Sequence, residues 1–190
     1  MTNSYTTTNF AEDGVQNFNG TVKLNGVALQ ATATEINQAA KTSTKVGISA
    51  GSTLAVTAAL HNGATINLDT ATGSVCTLPA ATGSGAKFKF LVAVLATSNA
   101  HKVQVANASD FMIGIVTTMS DDPATVKGFA AANSGTVSTN SDTITLNRST
   151  TGSVAVGEWL EAEDVAANTW AVRGLTASTG TEATPFTAAV

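Results

Sequence analysis

The amino-acid sequence predicts an all-β protein: a β-sandwich or jelly-roll-like barrel of about ten short strands, preceded by an extended N-terminal arm with a hairpin and one short helix. Three observations predict it. Short runs of β-branched and aromatic residues follow one another between polar turn residues from about residue 54 onward. Apolar side chains alternate within the runs, so that Phe88, Phe90, Val92 and Val94 share one face and Ile144 and Leu146 another. Finally, 32 of the 190 residues are Thr, and a side chain that is β-branched yet polar suits the solvent face of a strand.

Residues 1–50 read as the arm. Residues 1–20 hold few aliphatic side chains and show no period. Such a segment cannot bury its own core, and it becomes ordered only by lying on a neighbour. Its widely spaced aromatics Tyr5, Phe10 and Phe18, with Val22 and Leu24 just beyond, are the candidate partner-binding anchors. In 21–30, alternating apolar pairs flank Asn25-Gly26, a strong hairpin signal. Thr32-Ala33-Thr34-Glu35 is a capping box that opens a short helix over 33–41.

Residues 51–190 read as one β domain. Its expected strands are Leu54–Leu60, Thr65–Asp69, Ser74–Leu78, Lys87–Leu95, Lys102–Ala106, Met112–Thr118, Thr125–Ala130, Asp142–Leu146, Trp159–Val165 and Thr169–Arg173. Glycine, Asn, Asp, Ser and Pro fill the turns between them. Trp159 and Trp170 fall on consecutive strands and are both expected to pack in the core.

Charge narrows the function. Only 12% of residues are charged and the net charge is −4. No two Lys or Arg are adjacent, so no basic stripe is offered to a nucleic acid. The longest uncharged apolar run, Phe90–Ala96, is far shorter than the roughly 20 residues a membrane helix needs. The opening residues carry no basic-then-apolar leader pattern, and we expect synthesis in a cytoplasm. A soluble monomer normally carries a surface dense in mixed charge. A chain this poor in charge is therefore expected to be covered by partners or by copies of itself.

Residues able to carry chemistry are few and dispersed. The loop Ala81-Thr82-Gly83-Ser84-Gly85 superficially resembles a phosphate-cradling loop, but Ala86 and Lys87-Phe88-Lys89-Phe90 follow where Lys, Ser or Thr and a helix are required. It reads as a tight turn between strands. The single cysteine, Cys76, lies between His61 and His101 with no spacing that suggests a nucleophile pair or a zinc site. Glu158, Glu161, Glu163 and Asp164 lack the closely spaced oxygens and Gly turn of a calcium loop and read as a solvated strand face. Asn107-Ala108-Ser109 and Asn147-Arg148-Ser149 fit the glycosylation triplet, which carries no weight without secretion. No catalytic, cofactor-binding or metal residue is assigned, and an enzyme is not expected.

Two stretches resemble virion structural proteins of tailed bacteriophages. One is Leu24-Asn-Gly-Val-Ala-Leu29 followed by Thr32-Ala-Thr-Glu-Ile-Asn37. The other comprises His61-Asn-Gly-Ala-Thr-Ile-Asn-Leu68, Thr77-Leu-Pro-Ala-Ala-Thr-Gly-Ser-Gly85, Lys102-Val-Gln-Val-Ala-Asn107, Asp142-Thr-Ile-Thr-Leu-Asn147 and Gly180-Thr-Glu-Ala-Thr-Pro-Phe186. The resemblance implies a structural protein of the particle. A compact β domain behind an arm, with no heptads or repeats of a fibre stalk, suits a capsid decoration (cement) protein. Its expected partners are the major capsid protein and its own copies, as a trimer, on the capsid surface. The alternatives are a head or tail fibre or neck protein, and a carbohydrate-binding β-sandwich, against which the 5% aromatic content counts.

Overall fold

The computed structural model describes residues 23–24, 27–28, 47–121, 125–134, 136 and 139–190. The chain forms two compact units, Met1–Lys41 and Thr42–Val190. In the first, β1 (Lys23–Leu24) pairs antiparallel with β2 (Val27–Ala28), Leu24 opposite Val27. Tyr5, Phe10, Phe18, Val22 and the helix expected over 33–41 lie outside the described residues.

The second unit is an all-β sandwich of a seven-stranded and a five-stranded sheet. Its strands are β3 (Ile48–Ser49), β4 (Thr53–Ala55), β5 (Thr65–Leu68), β6 (Val75–Thr77), β7 (Lys87–Val92), β8 (His101–Gln104), β9 (Phe111–Met119), β10 (Val126–Ala130), β11 (Thr143–Leu146), β12 (Trp159–Ala166), β13 (Thr169–Ala177) and β14 (Phe186–Thr187). The larger sheet runs β10-β9-β13-β12-β7-β5-β3 and the smaller β14-β11-β8-β6-β4.

Half of the pairings are parallel, which a jelly roll would not show. β3, β5 and β7 stack parallel in one sheet while β4, β6 and β8 stack parallel in the other. Parallel neighbours need a long crossover, and here each crossover contains a strand of the opposite sheet. The first six strands of the unit are thus a flattened coil of three turns. The later strands close it: β12 lies antiparallel between β7 and β13, β9 joins β13 in parallel, and β11 joins β8 antiparallel.

One inward row crosses the whole larger sheet: Ile48, Ile66, Phe90, Leu160, Gly174, Val116 and Phe129. The facing row of the smaller sheet is Leu54, Cys76, Val103, Ile144 and Phe186. Side chains from both rows belong to one apolar core. Trp170 is fully buried there against Phe88, ring centroids 5.7 Å apart.

Three expectations change. Ile48–Ser49 is a sheet strand and Ala50 is buried, so the β unit begins ahead of residue 51. The run Leu54–Leu60 is split into β4 and a one-turn helix α1 (Ala58–His61), because Thr57 turns its backbone N–H onto His61 Nδ1 at 2.9 Å. Trp159 points outward, not into the core, since strand parity places it on the face opposite Leu160.

Candidate functional site

The acidic side chains of the β unit are where charge and backbone geometry meet. Leu160, Ala162 and Asp164 occupy the inward phase of β12, which leaves Asp164 2% exposed. A buried carboxylate must find donors, and the loop expected to be a plain turn supplies them. Backbone N–H groups of Thr82, Gly83 and Ser84 donate to its two oxygens at 2.7–3.1 Å, and the Ser84 hydroxyl donates at 2.7 Å. Gly83 takes a φ of 79° to aim these groups. Burial alone would raise the Asp164 pKa, but the Ser84 hydroxyl and the three amides outweigh it and bring it from 3.8 to about 2. The loop is an anion-binding nest whose anion is a side chain of the same protein.

The same device recurs. Glu158 accepts the N–H groups of Ser153, Val154 and Ala155 at 2.6–2.8 Å. Asp142 accepts those of Ala189 and Val190 at 2.8 and 3.1 Å. Asp110 accepts from Ala81 at 3.1 Å, and Asp69 from Gly51 at 3.1 Å. The two glycosylation-like triplets are side-chain-capped turns: Asn107 Oδ1 accepts from the Ser109 N–H, and Asn147 Oδ1 from the N–H groups of Ser149, Thr150 and Thr151.

His101, fully buried, accepts the Ser74 N–H on Nδ1 at 2.9 Å and donates from Nε2 to the Val94 carbonyl at 2.8 Å. Both ring nitrogens are engaged, which fixes a neutral tautomer. Burial lowers its pKa below 6.5, against the raising effects of the Val94 carbonyl and of Glu158 and Asp69. His61 is engaged by Thr57 instead, so the two histidines tie separate segments. Cys76 sits in the core row, where burial and the Asp69 charge push its thiol up to about 12. Among the described residues no cluster of three or more His, Cys, Asp or Glu could hold a metal ion, and no helix is long and apolar enough to cross a membrane.

The two outward sheet faces differ in chemistry. On the smaller sheet the outward rows are Thr53, Val75, Lys102 and Thr145, then Ala55, Thr77, Gln104, Thr143 and Thr187. That face is mainly polar, and all of it but the buried Thr143 is at least partly exposed. On the larger sheet β9 presents Phe111, Ile113, Ile115, Thr117 and Met119 outward. Val126 lies opposite Met119, and Leu175 opposite Thr117 and Trp159. Of these, Ile115 is 56% exposed, Met119 50%, Val126 62% and Leu175 37%. A charged patch adjoins them. Glu163 pairs with Lys87 at 3.1 Å, Glu161 and Glu163 both pair with Arg173, and the Lys89 ammonium sits 5.5 Å over the Trp159 ring. The acidic run is thus divided, with Glu161 and Glu163 on the outer face and Glu158 and Asp164 buried.

Of the anchors assigned from sequence, Leu24 falls in β1 and the other four lie outside the described residues. The apolar face of β9, β10 and β13 was not among them, although its signal was present in the odd-numbered positions of Phe111–Met119. No protein family, curated protein or solved structure matches the chain.

Proposed function

We propose that this chain is a structural protein of a tailed-bacteriophage particle: a decoration (cement) protein that binds the assembled head shell and stabilises it, acting as a homo-oligomer, a trimer, without catalytic activity. The resemblance in the sequence suggests the class of particle. The observation that carries a contact role is the apolar outward face of the larger sheet, beside a polar face of ordinary composition on the smaller one. The carboxylates of Asp69, Asp110, Asp142, Glu158 and Asp164 support the same reading, because they hold loops in shape and thereby serve architecture. In this reading the residues ahead of β3 engage the major capsid protein at the virion surface after synthesis in the bacterial cytoplasm. Binding the assembled shell and not its dissociated subunits stabilises it by mass action.

The test is co-sedimentation of the full chain with expanded, emptied heads. Saturable binding in numbers that scale with the capsid subunits is expected. Binding of only a few copies per head would move the protein to a fibre or neck, and no binding would overturn the reading. Deletion of residues 1–20 is expected to abolish head binding; undiminished binding would remove the arm from the contact.

A further inference from the structure

We propose that His101 is an acid-operated latch: its protonation releases the turn between β5 and β6, residues 69–74, and opens one end of the sandwich while the other end stays closed. The ring lies where three loops meet. Its Nδ1 accepts the Ser74 N–H of the β5–β6 turn at 2.9 Å, and its Nε2 donates to the Val94 carbonyl of the β7–β8 loop at 2.8 Å. The loop ahead of β12 joins them, because the Ser153 hydroxyl accepts the Ala96 N–H at 2.8 Å and Glu158 in turn accepts the Ser153 N–H at 2.8 Å. His101 and Ser74 are both fully buried. The turn packs directly on the start of β8, where a Cβ added to Gly73 would lie 2.4 Å from the Ala100 carbonyl oxygen.

A second proton enters at Nδ1, because Nε2 already carries one. Two N–H groups then face each other where a hydrogen bond had been. The bond to the Val94 carbonyl becomes charge-assisted and tightens, so the β7–β8 loop keeps its hold and the turn is the part that lets go. Neighbouring charge assists the proton: Asp69 on the turn and Glu158 ahead of β12 both favour the charged ring, against its burial. The other groups around it are neutral or turned away. Cys76 on the adjoining β6 is un-ionised, its thiol pushed up to about 12, and Lys102, next along β8, lies on the outward phase of that strand. Arg148 is spent on the Thr97 carbonyl, and residues 93–100 hold no other titratable side chain ahead of Lys102. Ala71 and Thr72 already face solvent. Their turn is held from outside by the N–H groups of Thr97 on the Ala71 carbonyl and of Lys102 on the Ser74 carbonyl, at 2.6 and 2.8 Å. Once its N–H has no acceptor inside, Ser74 gains one by moving toward water. At the far end of β7 the amides of Thr82, Gly83 and Ser84 are held by Asp164, whose pKa of about 2 keeps it ionised wherever a histidine titrates. The same acid therefore opens one end alone.

The experiment is amide hydrogen exchange of the full chain, followed by NMR at about pH 7.5 and about pH 5, with each amide corrected for its intrinsic rate and the His101 ring nitrogen shifts reading its protonation. Protection at Ser74 and Thr97 is expected to fall at least tenfold, in step with the ring, while Ala96, Gly83 and Ser84 keep theirs. His101→Gln, neutral at both pH values, is expected to abolish the difference. A ring still neutral at about pH 5, or a protonated ring with Ser74 as protected as before, would overturn the proposal. Equal losses at Ser74 and Gly83 would overturn it too, since they mark global unfolding, and so would a folded His101→Gln chain that keeps the pH-dependent loss. Where that variant does not fold, the wild-type comparison of Ser74 with Gly83 decides the matter.

Discussion

At the scale of single residues, Asp164 and His101 make the protein sensitive to acid in two separate ranges. Asp164 has its folded pKa depressed from 3.8 to about 2. Its contribution is therefore complete above about pH 4 and is lost as pH falls through about 2, amounting to about 2 to 3 kcal/mol. Asp164→Asn keeps the shape but places an amide NH2 against three N–H donors. It is expected to cost about 3 kcal/mol at pH 7 in urea unfolding and to reduce the loss of stability between pH 4 and 2, a range in which Glu182, held low by Lys127, also titrates. His101 also has a lowered pKa, and because it is a base the unfolded chain takes up its proton first. Stability is then complete above pH 6.5 and declines as pH falls below it, since protonating Nδ1 breaks the bond from the Ser74 N–H. His101→Gln is expected to flatten the stability profile just below pH 6.5, as read by denaturant midpoints across that range. The burial of Asp164 could have been read from β12, where it shares the phase of Leu160 and Ala162. Its partner could not, because the cradle lies some eighty residues away and no local pattern links the two.

At the scale of elements, β9 and β13 approach so closely that one glycine is obligatory. Gly114 has a φ of 127°, and a Cβ there would lie 1.9 Å from the Val172 carbonyl oxygen. Gly114→Ala is expected to cost about 3 kcal/mol through backbone strain and this clash, and to lower hydrogen-exchange protection at Ala171–Arg173. The ten strand positions were legible because alternation and turn residues are local signals, and each expected run overlaps an observed strand. The pairing order was not. Three turns of parallel coil consume unequal lengths of chain between Ile48, Ile66 and Phe90, so no sequence period records them. α1 was hidden because Leu54–Leu60 is apolar enough for a strand, and only the bond from Thr57 to His61 shows where it turns. Trp159 was misplaced for a simpler reason: adjacent strands can each carry a Trp while their register, here Asp164 opposite Trp170, sets the two rings on opposite faces.

At the scale of the whole molecule, charge is scarce, and among the described residues most of it holds loop amides or is neutralised locally. Five carboxylates bind loop amides, and the ladder of Lys87, Glu163, Arg173 and Glu161 closes on itself. The outward rows of the smaller sheet hold five of the 32 Thr, so that face accounts for only a small part of the Thr-rich composition. What composition could not reveal is that the larger sheet carries Ile115, Met119, Val126 and Leu175 outward beside its ladder of charged pairs. This asymmetry makes a prediction about the force that joins copies of the chain. An interface held by ion pairs weakens as salt shortens the Debye length from about 10 Å at 0.1 M to about 3 Å at 1 M. One formed by Ile115, Met119, Val126 and Leu175 is not screened. It is strengthened by excluded salts such as sulfate, and it shows a negative heat-capacity change on association. Sedimentation equilibrium of the full chain is therefore expected to give a self-association constant within about twofold between 0.1 and 1 M sodium chloride. The constant should rise in sodium sulfate, and its enthalpy should fall with temperature. A tenfold loss of association in sodium chloride would show that charged side chains, and not the apolar sheet face, hold the copies together.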